Sequence, residues 1–209
     1  MIDMKQLSVV AGEVTLLPPV SVAVPPGTAL IVRGRNGTGK STLLRVLAGS
    51  QAPSSGSATI ADAPIDDRDR SFRARVASMI GMPPIAPDLT VRDHVLLVAT
   101  TWWARGKDAE RVTDALLAEL RLEPLGARFA HELSSGQTQM FGLALVLARP
   151  FDILILDEPE QRLDPEHVAA LTALLRARSE AGATLVVATH SRALADGLGG
   201  RTLDLGLAA

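Results

Sequence analysis

Apolar positions along the chain follow two periods, and these mark out its elements. Residues 4–32 are rich in Val and Leu and are broken by Gly12, Pro18-Pro19 and Pro25-Pro26-Gly27. Short strands joined by turns fit this stretch, because proline and glycine leave no helical stripe intact. Ser57–Ala61, after the loop Pro53-Ser54-Ser55-Gly56, reads as a further strand, and together these segments predict an antiparallel sheet. From Val91 to Leu122 the period becomes helical, with Val91, Val95 and Val98 on one stripe and Val112, Leu116, Leu117 and Leu120 on another. Gln137–Ala148 continues as a helix and stops before Pro150. Phe151–Leu156 is a short continuous apolar run, suited to a central strand buried on both faces. Asp164-Pro165 supplies a carboxylate N-cap with proline at the first helical position, opening a helix that runs to Gly182. Thr184–Ala188 is another buried strand. Strands alternating with helices predict an α/β core with mostly parallel pairing.

The stretch Leu30–Gly49 carries the first chemistry. The apolar run Leu30-Ile31-Val32 leads into Gly34-Arg35-Asn36-Gly37-Thr38-Gly39-Lys40-Ser41-Thr42, and the helix-like Leu43–Ala48 follows. Strand, glycine-rich loop and helix form the context of a phosphate-binding P-loop. Its glycines free the backbone to turn successive N–H groups onto a triphosphate, and the helix directs its positive end at the same anion. Lys40 is placed to reach the β- and γ-phosphates, and the Ser41 hydroxyl to ligate Mg²⁺.

Composition narrows the rest. The 209 residues, 47% hydrophobic, suffice for one domain with a buried core, expected over 1–209. A net charge of -2 gives no general pull toward nucleic acid or anionic membrane. With no cysteine, disulfides, thiolate catalysis and zinc–thiolate sites are excluded. The N-terminal residues lack the basic start and apolar core of a signal peptide, and no run approaches the roughly 20 apolar residues that span a bilayer. A cytoplasmic location is therefore expected, with any membrane role exercised through a partner.

The apolar run ending at Leu156 exits into Asp157-Glu158-Pro159. A carboxylate at a strand exit beside a P-loop can hold Mg²⁺ against the phosphates, and the next one can polarise an attacking water. Leu133-Ser134-Ser135-Gly136-Gln137 then narrows the class further. Over nearly its whole length the chain resembles the ATP-binding domain of ABC proteins, whose signature motif this segment matches. Asp157–Pro159 resembles that family's Walker B with its catalytic glutamate, Leu163-Asp164 its D-loop, and His190 its switch histidine.

The resemblance implies a P-loop NTPase core of mostly parallel sheet flanked by helices, with an antiparallel β subdomain and an inserted helical lobe over about 88–145. It also implies a head-to-tail pair of ABC domains, homodimeric or heterodimeric. Ser134, Ser135, Gly136, Gln137 and Asp164 of one domain would complete the site on the P-loop of the other. ATP and Mg²⁺ are the implied cofactors. Residues 34–42 would bind the nucleotide, Ser41 and Asp157 the metal, and Lys40, Glu158 and His190 would serve hydrolysis. The implied role is the ATPase subunit of an ABC transporter, on the inner face of the membrane through a separate transmembrane permease, with no nucleic acid. Short length and the lack of a C-terminal extension resemble exporter-type subunits, including the haem-exporter ATPase. A soluble ABC ATPase acting on DNA or ribosomes, and a nucleotide-gated regulatory module with weak hydrolysis, are the alternatives.

Two departures from the family's pattern stand out. No glutamine occurs between Gln51 and Gln137, and Met79-Ile80-Gly81-Met82-Pro83-Pro84 occupies the place where the family has one contacting Mg²⁺ and the attacking water. Proline supplies neither a backbone donor nor a side-chain ligand. The first 30 residues also hold no Phe or Trp, and the chain no Tyr, to stack on adenine. Ser135 and Met140 are smaller departures, expected to be tolerated. Of Trp102 and Trp103, one is expected to fill the lobe's core. Arg68, Arg70, Arg73 and Arg75, interleaved with Asp66, Asp67 and Asp69, are expected on a solvated mixed-charge face. His94, His131 and His167 are expected to be structural.

Overall fold

The computed structural model describes residues 1–103 and 105–206. In chain order the elements are β1 (Ile2–Ala11), β2 (Val14–Val24), β3 (Ala29–Arg33), α1 (Lys40–Leu47), β4 (Ser55–Ile60) and β5 (Ala63–Pro64). There follow α2 (Arg70–Arg75), β6 (Val76–Met79), α3 (Val91–Trp102), α4 (Gly106–Glu119), α5 (Ser135–Leu147) and β7 (Ile153–Asp157). The chain closes with α6 (Pro165–Glu180), β8 (Thr184–Ala188), α7 (Arg192–Leu198) and β9 (Arg201–Asp204).

The strands form a 4-stranded antiparallel sheet in the order β2-β1-β4-β5 and a 5-stranded sheet in the order β6-β7-β8-β3-β9. Every pairing in the second sheet is parallel. Side-chain alternation along its inner strands sorts the core into two halves. Leu30, Val32, Ile153, Ile155, Val186 and Ala188 face one side, where Leu43, Leu44 and Leu47 of α1 meet the apolar residues of β1 and β2. Ala29, Ile31, Leu154, Leu156, Leu185 and Val187 face the other, against α5, α6 and the α3–α4 pair. Helix α1 is thus held between the two sheets, so the loop entering it has a fixed direction.

Helix α5 is buried from Gln139 to Leu147, which accounts for its nearly uninterrupted apolar sequence. Its Gly142 allows close approach: a Cβ there would sit 2.9 Å from the Met82 sulfur. The segment after β6 therefore lies against α5. His94 fixes the same segment from the other side, its Nε2 accepting from the Ala86 amide at 2.9 Å while its ring meets Phe141 edge-on at 5.3 Å.

Several elements differ from the sequence expectation. Strand β7 begins two residues later than the apolar run and takes in Asp157, while β4 begins two residues earlier than expected. Strand β6 and the short elements α2, α7 and β9 had no clear periodic signal, since each spans only four to seven residues. Trp103, part-buried, packs against the lobe's core as expected of one tryptophan, its indole donating to the Ala148 carbonyl at 3.0 Å, while Trp102 stacks under the Arg149 guanidinium at 4.1 Å. Arg73 donates to the carbonyls of Asp67 and Arg68 on an exposed face.

Candidate functional site

The glycine-rich loop leaves β3 and closes on α1 through Gly39, whose φ of 99° is open to glycine without strain. A Cβ at Gly39 would lie 2.5 Å from the Leu16 carbonyl of β2, so neighbouring backbone also demands glycine there. Thr38 steadies the turn, its hydroxyl donating to the Arg35 carbonyl at 2.8 Å. Arg33, Gly34, Arg35, Asn36, Gly37 and Thr38 line an open cavity of about 860 Å³ together with Thr189, His190 and Asp204. A second cleft of about 320 Å³ is lined by Leu16, Asn36, Gly37, Gly39, Lys40, Ser41, Thr42 and Glu158.

Lys40 is buried at the first position of α1. Its Nζ donates to the carbonyls of Gly34 at 3.0 Å and Arg35 at 3.3 Å and lies 3.1 Å from His190 Nε2. The same imidazole nitrogen is 3.2 Å from Glu158 Oε1. Three parallel strands bring these groups together: the loop leaves β3, Glu158 follows β7 and His190 follows β8, at the carboxyl ends where open α/β sheets place their sites.

Glu158 has a positive φ of 47°, a conformation that costs a non-glycine residue of order 1–3 kcal/mol and persists only where its surroundings impose it. Here its amide donates to the Ala188 carbonyl at 2.8 Å. Gln139 of α5 donates to the carbonyls of Glu158 at 3.4 Å and Pro159 at 3.1 Å. Gln139 was not singled out in the sequence, because its role depends on a loop that only the fold brings to it.

Ser134 caps α5, its hydroxyl accepting from the Gln137 amide at 3.3 Å while Gln137 Oε1 accepts from the Ser134 amide at 2.9 Å. Ser134, Ser135, Gly136 and Gln137 line a cleft of about 300 Å³ with Arg162, Leu163, Asp164 and His167. Asp164 Oδ1 caps α6, accepting from the His167 amide at 2.9 Å and contacting His167 Nδ1 at 2.8 Å. Those bonds, the amide first, hold the Asp164 carboxyl below the usual carboxylate range. His167 lines this cleft and completes the α6 cap, a structural contact; His94 is structural too, and His131 stacks on Phe129 at 5.8 Å.

The expected site residues thus fall into two groups. The loop residues 34–42 lie with Glu158 and His190, Asp157 sits at the end of β7 beside them, and Ser134–Gln137 lie with Asp164 in a separate cleft. Pro83 is half-buried and lines neither group. Ser41 and Asp157 offer hard oxygen donors, and Asp157 has no ion-pair partner among the described residues. So small a donor set suits Mg²⁺, which keeps several waters and takes its other ligands from phosphates. Arg149 carries no motif in the sequence: its Nε and one Nη are buried without a hydrogen-bond partner among the described residues, and burial pushes its pKa down.

Residues 17–161 match the family model described as ABC transporter. A probable anion import ATP-binding protein of Haloferax volcanii is 35% identical, with 91% of this chain and 72% of that protein covered. The Nod factor export ATP-binding protein I of Paraburkholderia xenovorans is 34% identical, covering 86% of this chain and 59% of its own length. Among solved structures, the dimeric post-hydrolysis state of the ATP-binding cassette MJ0796 bound to ADP and Pi superposes with a TM-score of 0.88. It is 25% identical, with 98% of this chain and 94% of that one covered.

Proposed function

The chain belongs to the ABC transporter family of ATP-binding proteins, and on that premise we propose that it is the subunit whose ATP hydrolysis drives a separate membrane permease. The observation that carries this reading is the convergence of Lys40, Glu158 and His190 at one cleft while the signature residues line another. A serine-capped helix start such as that of α5 is an anion site in search of an anion. Two copies of this chain, paired head to tail, give each P-loop the signature cleft of the other. The dimeric cassette among its structural relatives supports the same arrangement.

In this reading Lys40 and the loop amides neutralise charge developing on the transferred phosphoryl group. Ser41 and Asp157 would hold Mg²⁺, which would add electrostatic stabilisation there when bound. Glu158 takes the proton of the attacking water, and its strained backbone and paired carbonyls fix where that carboxylate stands. His190 presents its ring toward the γ-phosphate from the end of β8. Closure on ATP and reopening after hydrolysis are the stroke delivered to the permease.

No helix among the described residues is long and apolar enough to cross a membrane. Relatives named for import and for export match about equally well, so neither direction is favoured. The test is purification of the tagged chain from its own host in mild detergent. A multi-spanning membrane protein recovered in stoichiometric amount supports the transporter reading; ribosomes or DNA in its place support a soluble ABC ATPase.

A further inference from the structure

Glu158 and Glu160 flank Pro159 in one turn, and their carboxylates serve different parts of the same neighbouring segment. Glu160 Oε1 accepts from the Thr189 hydroxyl, from the His190 amide at 3.2 Å and from the Ser191 amide at 3.2 Å. Three consecutive residues are therefore gathered on one oxygen. The Ser191 amide also donates to Thr189 Oγ1 at 2.9 Å, and Thr189 itself is 2% exposed. Glu160 Oε2 is buried with no hydrogen-bond partner among the described residues.

We propose that Glu160 is the positioning residue of His190: its carboxylate sets the backbone from which the imidazole is presented to the nucleotide. This rests on the reading of His190 as a hydrolysis group. His190 Nε2 lies within reach of both Glu158 and Lys40 and can bond one or the other according to its protonation, and both are expected to change partners as nucleotide binds and reacts. The bonds to Glu160 engage only backbone amides and Thr189, so they persist when the ring lets go. They also join the turn after β7 to the turn after β8 at a second point, beyond the Glu158 amide bond to Ala188. A displacement of one turn is thereby passed to the other.

The unpartnered oxygen argues against a merely structural tie. A half-buried carboxylate with one oxygen shut away from solvent and unsatisfied is an expensive way to cap a loop, and such costs are met mainly at functional sites. A single carboxylate can, however, draw a hydroxyl and two amides to one point, which a neutral acceptor does less strongly.

The test is steady-state Mg·ATP hydrolysis by full-length Glu160→Ala and Glu160→Gln, each also made in a His190→Ala background, with thermal melting of every variant. Glu160→Ala is expected to lower kcat by about ten- to a hundred-fold while KM for ATP moves less than about three-fold. Glu160→Gln keeps an oxygen acceptor and is expected to restore most of that loss. In the His190→Ala background Glu160→Ala is expected to add almost nothing, because both act through one group. An equal loss in both backgrounds, or wild-type turnover by Glu160→Ala, overturns the proposal. If His190→Ala alone leaves turnover unchanged, the hydrolysis reading of His190 fails first, and the positioning role with it. Should Glu160→Ala not fold, Thr189→Val removes one donor and leaves the carboxylate. Histidine-selective ¹⁵N spectra are then expected to shift the His190 ring resonances and leave those of His94 and His131 in place, and unmoved His190 resonances overturn the proposal.

Discussion

Lys40 Nζ stands 3.1 Å from His190 Nε2, although 150 residues separate the two in sequence. The contact places the cation of the P-loop and the imidazole after β8 on the same point, which is where a γ-phosphate must sit if both are to touch it. Nζ also rests on the carbonyls of Gly34 and Arg35, and phosphate oxygens are stronger acceptors for it than either. Hydrogen bonds to charged groups contribute about 1.5–3 kcal/mol, so Lys40→Met should weaken ATP binding roughly ten- to a hundred-fold. Calorimetric titration measures this directly, and an unchanged affinity would remove Lys40 from the phosphate site.

Pro83 stands in the segment where the family's pattern has a glutamine. That segment is pinned by Met82 against Gly142 and by the Ala86 amide on His94, so it is ordered without a polar ligand to offer. Pro83→Gln is expected to change the Mg²⁺ dependence of ATP turnover, most visibly at limiting metal. Superimposable turnover curves across a magnesium titration would count against altered metal handling.

Leu16 is the residue of β2 that lines the cleft beside Gly39 and Lys40, and it has no aromatic face. Stacking of a base on an aromatic is worth roughly 1–3 kcal/mol, and its loss falls on all bases alike. ATP and GTP should therefore bind weakly and within about ten-fold of each other, since only about 1.4 kcal/mol then separates them. Submicromolar ATP affinity with strong rejection of GTP would contradict this.

Asp164 gains its two His167 bonds only on folding, and they lower its pKa. A lowered folded-state pKa stabilises the protein above the unfolded value of about 3.9, and that contribution is lost as pH falls through the folded value. The melting temperature of Asp164→Ala should lie below that of the unmodified protein at neutral pH, with the gap narrowing below about pH 4. A gap that is constant across this range would mean the carboxylate charge plays no part in the cap.

Much of this architecture was legible before the fold was known, and for identifiable reasons. Glycine at 39 and the apolar run before Asp157 are local signals, because turn geometry and double-sided burial each select residue types directly. Strand β6 was hidden because its four residues carry too short a pattern. Gln139 and Glu160 were hidden for another reason. Apart from the Thr189 hydroxyl, their partners are backbone groups of distant loops, the carbonyls of 158–159 and the amides of 190–191, and backbone leaves no mark in sequence.

In the proposed function two copies of this chain close on ATP and complete each other's sites. Glu158→Gln removes the proposed base while keeping a similar shape, which should cut turnover by about 10²–10⁴ and let the closed pair accumulate. The deciding measurement is sedimentation equilibrium of Glu158→Gln with Mg·ATP and, separately, with Mg·ADP. A mass twice the 22.0 kDa of the chain is expected in ATP and the monomer mass in ADP. A monomer under both conditions at saturating nucleotide would contradict it.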